Sequence, residues 1–124
     1  MSLAIGVLMD PIGTLRIKKD STFAMLLEAQ RRGHRLFHLG QGDLAVRDGR
    51  ALGRMSELRV RDDPASWFSL GEPAWQPLAT LEVLLARKDP PFDAHFLHDT
   101  LVLDLAERDG VLVVNRPQAL RDAN

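Results

Sequence analysis

Three apolar runs in this chain each end in polar residues followed directly by proline. Leu3 to Met9 is closed by Asp10-Pro11. Leu81 to Ala86, apolar apart from Glu82, is closed by Arg87-Lys88-Asp89-Pro90-Pro91, and Val111 to Val114 by Asn115-Arg116-Pro117. A short run without polar alternation suits a strand buried on both faces, as in a parallel sheet covered by helices. Proline lacks the N–H that would extend the ladder, so each run stops where its proline stands. A chain with several such runs is constrained to an interior sheet with a layer on either side.

The segments between the runs supply the layers. Asp20, Ser21 or Thr22 can cap a helix through a side-chain oxygen. Phe23, Leu26 and Leu27 then share one helical face, Glu28 can pair with Arg32, and Gly33 is placed to end the helix in a left-handed conformation. His34 to Leu39 reads as the next strand. Asp93 is placed to cap a second helix, in which Leu97, Leu101 and Leu105 repeat every four residues until Gly110. Gln118 to Asn124 reads as the first turns of a third.

Residues 40 to 80 read differently. Leu44-Ala45-Val46, Asp48-Gly49 and Ala51-Leu52 form a hairpin pattern, because Asp-Gly favours a tight primed turn. Leu58-Arg59-Val60-Arg61 alternates like an edge strand with one wet face. The segment carrying Pro64, Pro73 and Pro77 reads as an irregular crossing. The expected fold is α/β: an open, mainly parallel, Rossmann-like sheet with helices on both faces, plus a small β-hairpin appendage at about residues 42–62.

Composition narrows the function. The chain has 124 residues, 45% hydrophobic and 27% charged, enough for one domain with a real core. A formal net charge of −1 gives no bulk attraction to nucleic acid or anionic lipid. There is no cysteine, hence no thiolate nucleophile, disulfide or Cys-type zinc site. No apolar run reaches bilayer-spanning length, and MSLAIGVLMD lacks the basic start of a signal peptide, so a cytoplasmic protein is expected. Gly6 and Gly13 make no dinucleotide fingerprint, and no Gly-Lys-Ser phosphate loop occurs.

In open α/β sheets ligands bind beyond the carboxyl ends of the strands. If the three runs are parallel, Asp10, the triplet Arg87, Lys88 and Asp89, and Asn115 lie along one edge. The first helix starts there too, near Ser21, with Lys18 and Lys19 just before it. Fork-shaped and point positive charge, carboxylates and free helix N–H groups suit a zwitterion with carboxylates and an amine. Each residue also has an ordinary role. Asp10 and Asn115 favour turns on their own account, and Asp20 to Thr22 serve as a plain helix cap. His95 and His98 lack an evident third ligand, and His34 and His38 stand alone, so a metal is not expected. Trp67 and Trp75 read as packing residues.

Four stretches carry a resemblance. MDPI (9–12), IKKDSTFAMLLEAQRRGH (17–34), LLARKDPPFD (84–93) and VNRPQALRDAN (114–124) resemble the N-terminal, preATP-grasp part of bacterial glutathione synthetases. The resemblance covers essentially the whole chain and is only an outline over residues 41–80. It implies an ATP-grasp ligase that joins γ-glutamylcysteine to glycine through an acyl phosphate. ATP and magnesium would be held by two domains that follow this one. The present chain would hold no cofactor and would help to bind the dipeptide. Arg87 is then the choice for a carboxylate or the developing acyl phosphate. Asp10 or Asp89 would hold the amine or orient Arg87. Lys18 and Ser21 would add an anion contact, and Asn115 would bond the substrate backbone, with Lys88 in the same charged group. Related enzymes self-associate, so a homo-oligomer is admitted as well.

The sequence stops at Asn124, without a glycine-rich lid, adenine pocket or magnesium carboxylates. The expectation is an excised or truncated domain, inactive alone. Two other readings stand beside it. A receiver-like signalling module would use Asp10 and Lys88, but it needs an acceptor Asp after a middle strand, where His38-Leu39-Gly40 offers none. A non-catalytic scaffold domain would use the polar edge only to meet the absent domains.

Overall fold

The structure is a computed structural model that describes residues 2–9, 21–40, 42–63, 65–86 and 94–115; the side chains of residues 21, 22, 94–100 and 115 lie outside that description. In chain order the elements are β1 (Ala4–Leu8), α1 (Ser21–Arg31), β2 (Arg35–Leu39), β3 (Leu44–Arg47), β4 (Arg50–Val60), β5 (Phe68–Leu70), β6 (Ala74–Pro77), a 3₁₀ turn at Leu78–Thr80, β7 (Val83–Ala86), α2 (Ala94–Arg108) and β8 (Leu112–Asn115). The sheet is mixed. Its parallel part runs β2-β1-β7-β8, and β4 joins it antiparallel to β2.

Two cores lie on opposite faces of this sheet, one under each helix. Along β1, Ile5 and Val7 pack with Phe23 and Leu26 of α1. Leu8 faces the other way, toward Leu84 and toward Val102, Leu103 and Ala106 of α2. Alternate side chains of one strand thus enter different cores, which is why β1 reads as an unbroken apolar run. Each fully buried leucine stabilises the fold by about 1.5–3 kcal/mol relative to an exposed one. Within α2 the buried stripe is Val102, Leu103 and Ala106, and Leu101 is 65% exposed. Of the leucine repeat, Leu105 packs against this core while Leu101 faces solvent.

Both helices end as expected. Gly33 (φ 88°) and Gly110 (φ 100°) take left-handed conformations. In each case the next residue's N–H reaches back five positions: His34 donates to Ala29 O at 3.1 Å, and Val111 to Ala106 O at 3.1 Å. Glu28 pairs with Arg32 at 3.0 Å and also with Arg31 at 2.5 Å. Their guanidinium groups hold its carboxyl down to about 2. The end of α1 is tied to the sheet by Gln30, whose amide pairs with the Val60 backbone as a neighbouring strand would. Its Nε2 donates to Val60 O (2.6 Å) and its Oε1 accepts from Val60 N–H (2.8 Å).

The hairpin β3–β4 turns at Asp48-Gly49, both with positive φ. Beyond it the structure departs from the sequence reading. Leu58 to Val60 is no separate edge strand. It is the far half of β4, an 11-residue strand paired there with both β2 and β5. The near half pairs with β3 and β6, so part of the expected irregular crossing is strand. Ala51 and Met55 of β4 enter the α2 core, whereas Leu58 and Val60 enter the α1 core. Gly53 lies where β4 passes over Leu39 and Leu78, and a Cβ there would stand 2.6 Å from a methyl of each. Trp67 packs edge-on against Phe23 at 5.3 Å and beside Phe68 at 4.7 Å, as a packing residue should. Trp75 does not, being 51% exposed on β6. No helix among the described residues is long and apolar enough to cross a membrane.

Candidate functional site

The parallel strands are in register at their carboxyl ends. Leu8 of β1 lies opposite Leu39 of β2 and Ala86 of β7, and Ala86 lies opposite Asn115 of β8. With about 4.8 Å between neighbouring strands, the ends of β1, β7 and β8 span about 10 Å. The three runs that stop at polar residues and proline therefore finish side by side on one edge.

The connections diverge at one point on that edge. From β1 the chain crosses through α1 to β2 on one side. From β7 it crosses through α2 to β8 on the other. Crossovers of one hand running in opposite directions must put their helices on opposite faces, as the two cores show. The switch point thus falls between β1 and β7, and a crevice opens at such a point outside the carboxyl ends. Asp10 comes two residues after Leu8, and Arg87 directly after Ala86.

Both helices bring their amino ends to this edge. The carboxyl end of α1 is fixed at the opposite end of the sheet, where Ser2 Oγ donates to Gly33 O (2.9 Å), Leu3 N–H to His34 Nδ1 (3.1 Å) and Arg35 N–H to Leu3 O (2.9 Å). The 11 residues of α1 span about 16 Å back toward the carboxyl edge. Likewise, Leu112 N–H donates to Glu82 O (3.0 Å) just beyond the end of α2, at the amino end of β7. The positive ends of both helix dipoles therefore lie toward this edge.

The predicted side chains stand as follows. Ser21 is the first residue of α1 and Asn115 the last of β8, which puts both backbones at the carboxyl edge, with their side chains outside the description. Asp10, Lys18, Arg87, Lys88 and Asp89 lie outside the described residues. The same holds for the side chains of His95 and His98, for the expected cap at Asp93 and for the turns from Gln118. His34 is engaged structurally, through the bond to Leu3 already described.

One residue at this edge escaped the sequence reading. Asp43, just after β2, accepts the N–H of Gly40 through Oδ2 at 2.7 Å. The preference of Asp for turns that bond their own backbone was the available signal.

A cavity of about 270 Å³ lies at the other end of the sheet, lined by Gln30, His34, Arg35, Glu57 and Arg59 among others. Its polar groups are largely spent on one another. Arg35 Nε donates to Glu57 at 3.1 Å, which holds the Glu57 carboxyl below its usual range, and Gln30 is bound to Val60. It is a notch between paired groups, far from the switch point. Among the described residues no three His, Cys, Asp or Glu side chains converge as a metal site.

Known proteins resemble this chain along essentially its whole length. The family model described as "Prokaryotic glutathione synthetase, N-terminal domain" matches residues 3–121. The chain is 56% identical to the glutathione synthetase of Pseudomonas putida and 55% identical to that of Xanthomonas axonopodis pv. citri, each over 124 residues. It is 51% identical over 124 residues to that of Coxiella burnetii. Each match covers 100% of this chain and 39% of the relative, so the chain spans about two fifths of the length of these curated relatives.

Proposed function

The chain belongs to the prokaryotic glutathione synthetase N-terminal domain family, and from that premise we propose that it forms the peptide-substrate side of an ATP-dependent carboxylate–amine ligase. The reaction is the joining of γ-glutamylcysteine to glycine. The observation that carries the reading is the switch point between β1 and β7, whose two strands lead into Asp10 and Arg87.

The chemistry assigned to the chain is binding and orientation. γ-Glutamylcysteine carries two carboxylates, one amine and a neutral thiol. Arg87 presents a planar fork to a carboxylate, and Lys88 and Lys18 add point charge. Asp10 and Asp89 take the amine or fix the Arg87 fork. Asn115 bonds the peptide backbone, and the α1 amino end at Ser21 adds N–H donors for an anion. Holding the reacting carboxylate in one geometry converts a bimolecular encounter into a positioned one. Arg87 is also suited to stabilise negative charge that grows on that carboxylate during activation.

ATP supplies the activation in this reading, with magnesium. Both are assigned in this reading to the part of a longer parent protein that the chain does not span. ATP and a thiol substrate point to a reducing, cytoplasmic setting.

Two assays test the reading together. The full-length protein that carries this chain is expected to release ADP only when γ-glutamylcysteine and glycine are both present. The 124-residue chain alone is expected to release none. Dipeptide-dependent ADP release by the isolated chain, or indifference of the full-length protein to the dipeptide, would contradict it.

A further inference from the structure

We infer that Asp43 is a positioning residue for the dipeptide: through the Leu39–Gly40 peptide it holds the end of β1 at Met9, the residue before Asp10. The inference rests on the functional reading above, and it starts from contacts that the reading does not use.

Asp43 is half-buried and tied three times. Its Oδ2 accepts the Gly40 N–H at 2.7 Å, its own N–H donates to Gly40 O at 3.1 Å, and its carbonyl accepts the Arg54 N–H at 2.8 Å. The last bond joins it to β4, so the turn is anchored to the longest strand in the sheet. Gly40 follows Leu39 directly, and Leu39 O accepts the N–H of Met9 at 3.0 Å. The peptide unit that joins Leu39 to Gly40 is therefore held from both sides, its N–H by Asp43 Oδ2 and its C=O by the Met9 N–H.

The Leu39–Gly40 unit is planar, so a tilt at its N–H moves the carbonyl to which Met9 is bonded, and with it the end of β1, which Asp10 follows in the chain. A charged acceptor holds the Gly40 N–H more firmly than a neutral one. Without the side chain, the N–H of half-buried Gly40 loses its partner while the Arg54 bond, made by the backbone, remains. The expected consequence is a shift of the Gly40 turn and of the peptide beside it, with the β3–β4 ladder intact. A small displacement of a substrate-holding group is enough to weaken binding of that substrate while leaving the others alone.

The test uses the full-length protein that carries this chain, with Asp43→Ala and Asp43→Asn. Asp43→Ala is expected to raise KM for γ-glutamylcysteine about tenfold, with kcat within about twofold and KM for glycine and ATP unchanged. Asp43→Asn keeps an acceptor oxygen and is expected to bring KM back to within about threefold. An unchanged dipeptide KM in Asp43→Ala would overturn the inference. So would an equal loss in all three substrates, or a failure of Asn to rescue. A second readout is independent of activity. In the isolated chain, the amide resonance of Asp10 should move in Asp43→Ala and return in Asp43→Asn, while those of β5 and β6 stay in place. An Asp10 amide that ignores both substitutions overturns the positioning role even if the ligase reading stands. A full-length protein without ligase activity counts against that reading instead, and the amide shifts still decide the positioning.

Discussion

A Gly53→Val chain is expected to lose about 3 kcal/mol of folding stability, near the upper end for an overpacked core. Two opposing effects meet at this position. Glycine in a strand interior loses more backbone freedom than any other residue, which alone would make a substitution favourable by about 0.5–1 kcal/mol. Against that stands space. The new Cβ would fall 2.6 Å from Leu39 Cδ2 and 2.6 Å from Leu78 Cδ2. These are the tips of flexible side chains, but both leucines are 0% exposed and packed within the α2 core. Leu39 is also the last residue of β2, on the edge that carries the proposed site. Overlap therefore wins, and Gly53→Ala should show a smaller loss of the same sign. Urea unfolding measures both, as a lower midpoint with an unchanged slope. An unshifted midpoint for Gly53→Val would mean that β4 does not pass over Leu39 and Leu78 as described.

The largest functional effect is expected at Arg87. In the full-length protein, Arg87→Ala should lower kcat/KM for γ-glutamylcysteine by about 100-fold, the loss of one well-placed charged donor pair. Arg87→Lys should recover only part of it, because an ammonium supplies a point charge and cannot form the parallel two-bond contact of a guanidinium. Folding should be little affected, since an arginine directly after the end of β7 is a residue type rarely used as core. Steady-state kinetics with the dipeptide varied and glycine and ATP saturating read the effect directly. A loss of threefold or less would remove Arg87 from the site.

The parallel half of the fold was legible because burial there is simple. Strands β1 and β7 put alternate side chains into two different cores, Ile5 and Val7 against Leu8 in β1 and Val83 and Leu85 against Leu84 and Ala86 in β7, so each run is continuously apolar. Proline and glycine punctuate it at positions where their backbone chemistry allows little else. The antiparallel half was harder for a physical reason. Strand β4 buries Met55 on one face and Leu58 on the other, and the spacing of three breaks the two-residue period. A reader following the period sees two short strands where there is one. Strands β5 and β6 have three and four residues and bury almost none of them, so their sequence carries little pattern at all. In α2 the mistake was of phase: Leu101 continues the repeat but faces solvent.

The site was legible only as an edge. Polar residues after three apolar runs indicate a common rim once the strands run parallel, and the register of Leu8, Ala86 and Asn115 supplies that rim. Strand β8 is nevertheless the last in the order, with Leu112 and Val114 exposed, and not one buried on both faces as its apolar run suggested. Pattern alone could not separate a residue that touches a ligand from one that shapes the loop beside it. Asp43 lies in a stretch read only as hairpin and loop, and its role depends on a contact with Gly40 and, through it, with a strand far away in sequence.

The central claim is that the dipeptide is held at the carboxyl ends of β1, β7 and β8. It is tested most directly by titrating the ¹⁵N-labelled chain with γ-glutamylcysteine and following the backbone amides. The account predicts shifts concentrated at Met9, Asp10, Ala86, Arg87 and Asn115. Shifts confined to Gln30, His34 and Arg59, around the notch at the opposite end of the sheet, would contradict it.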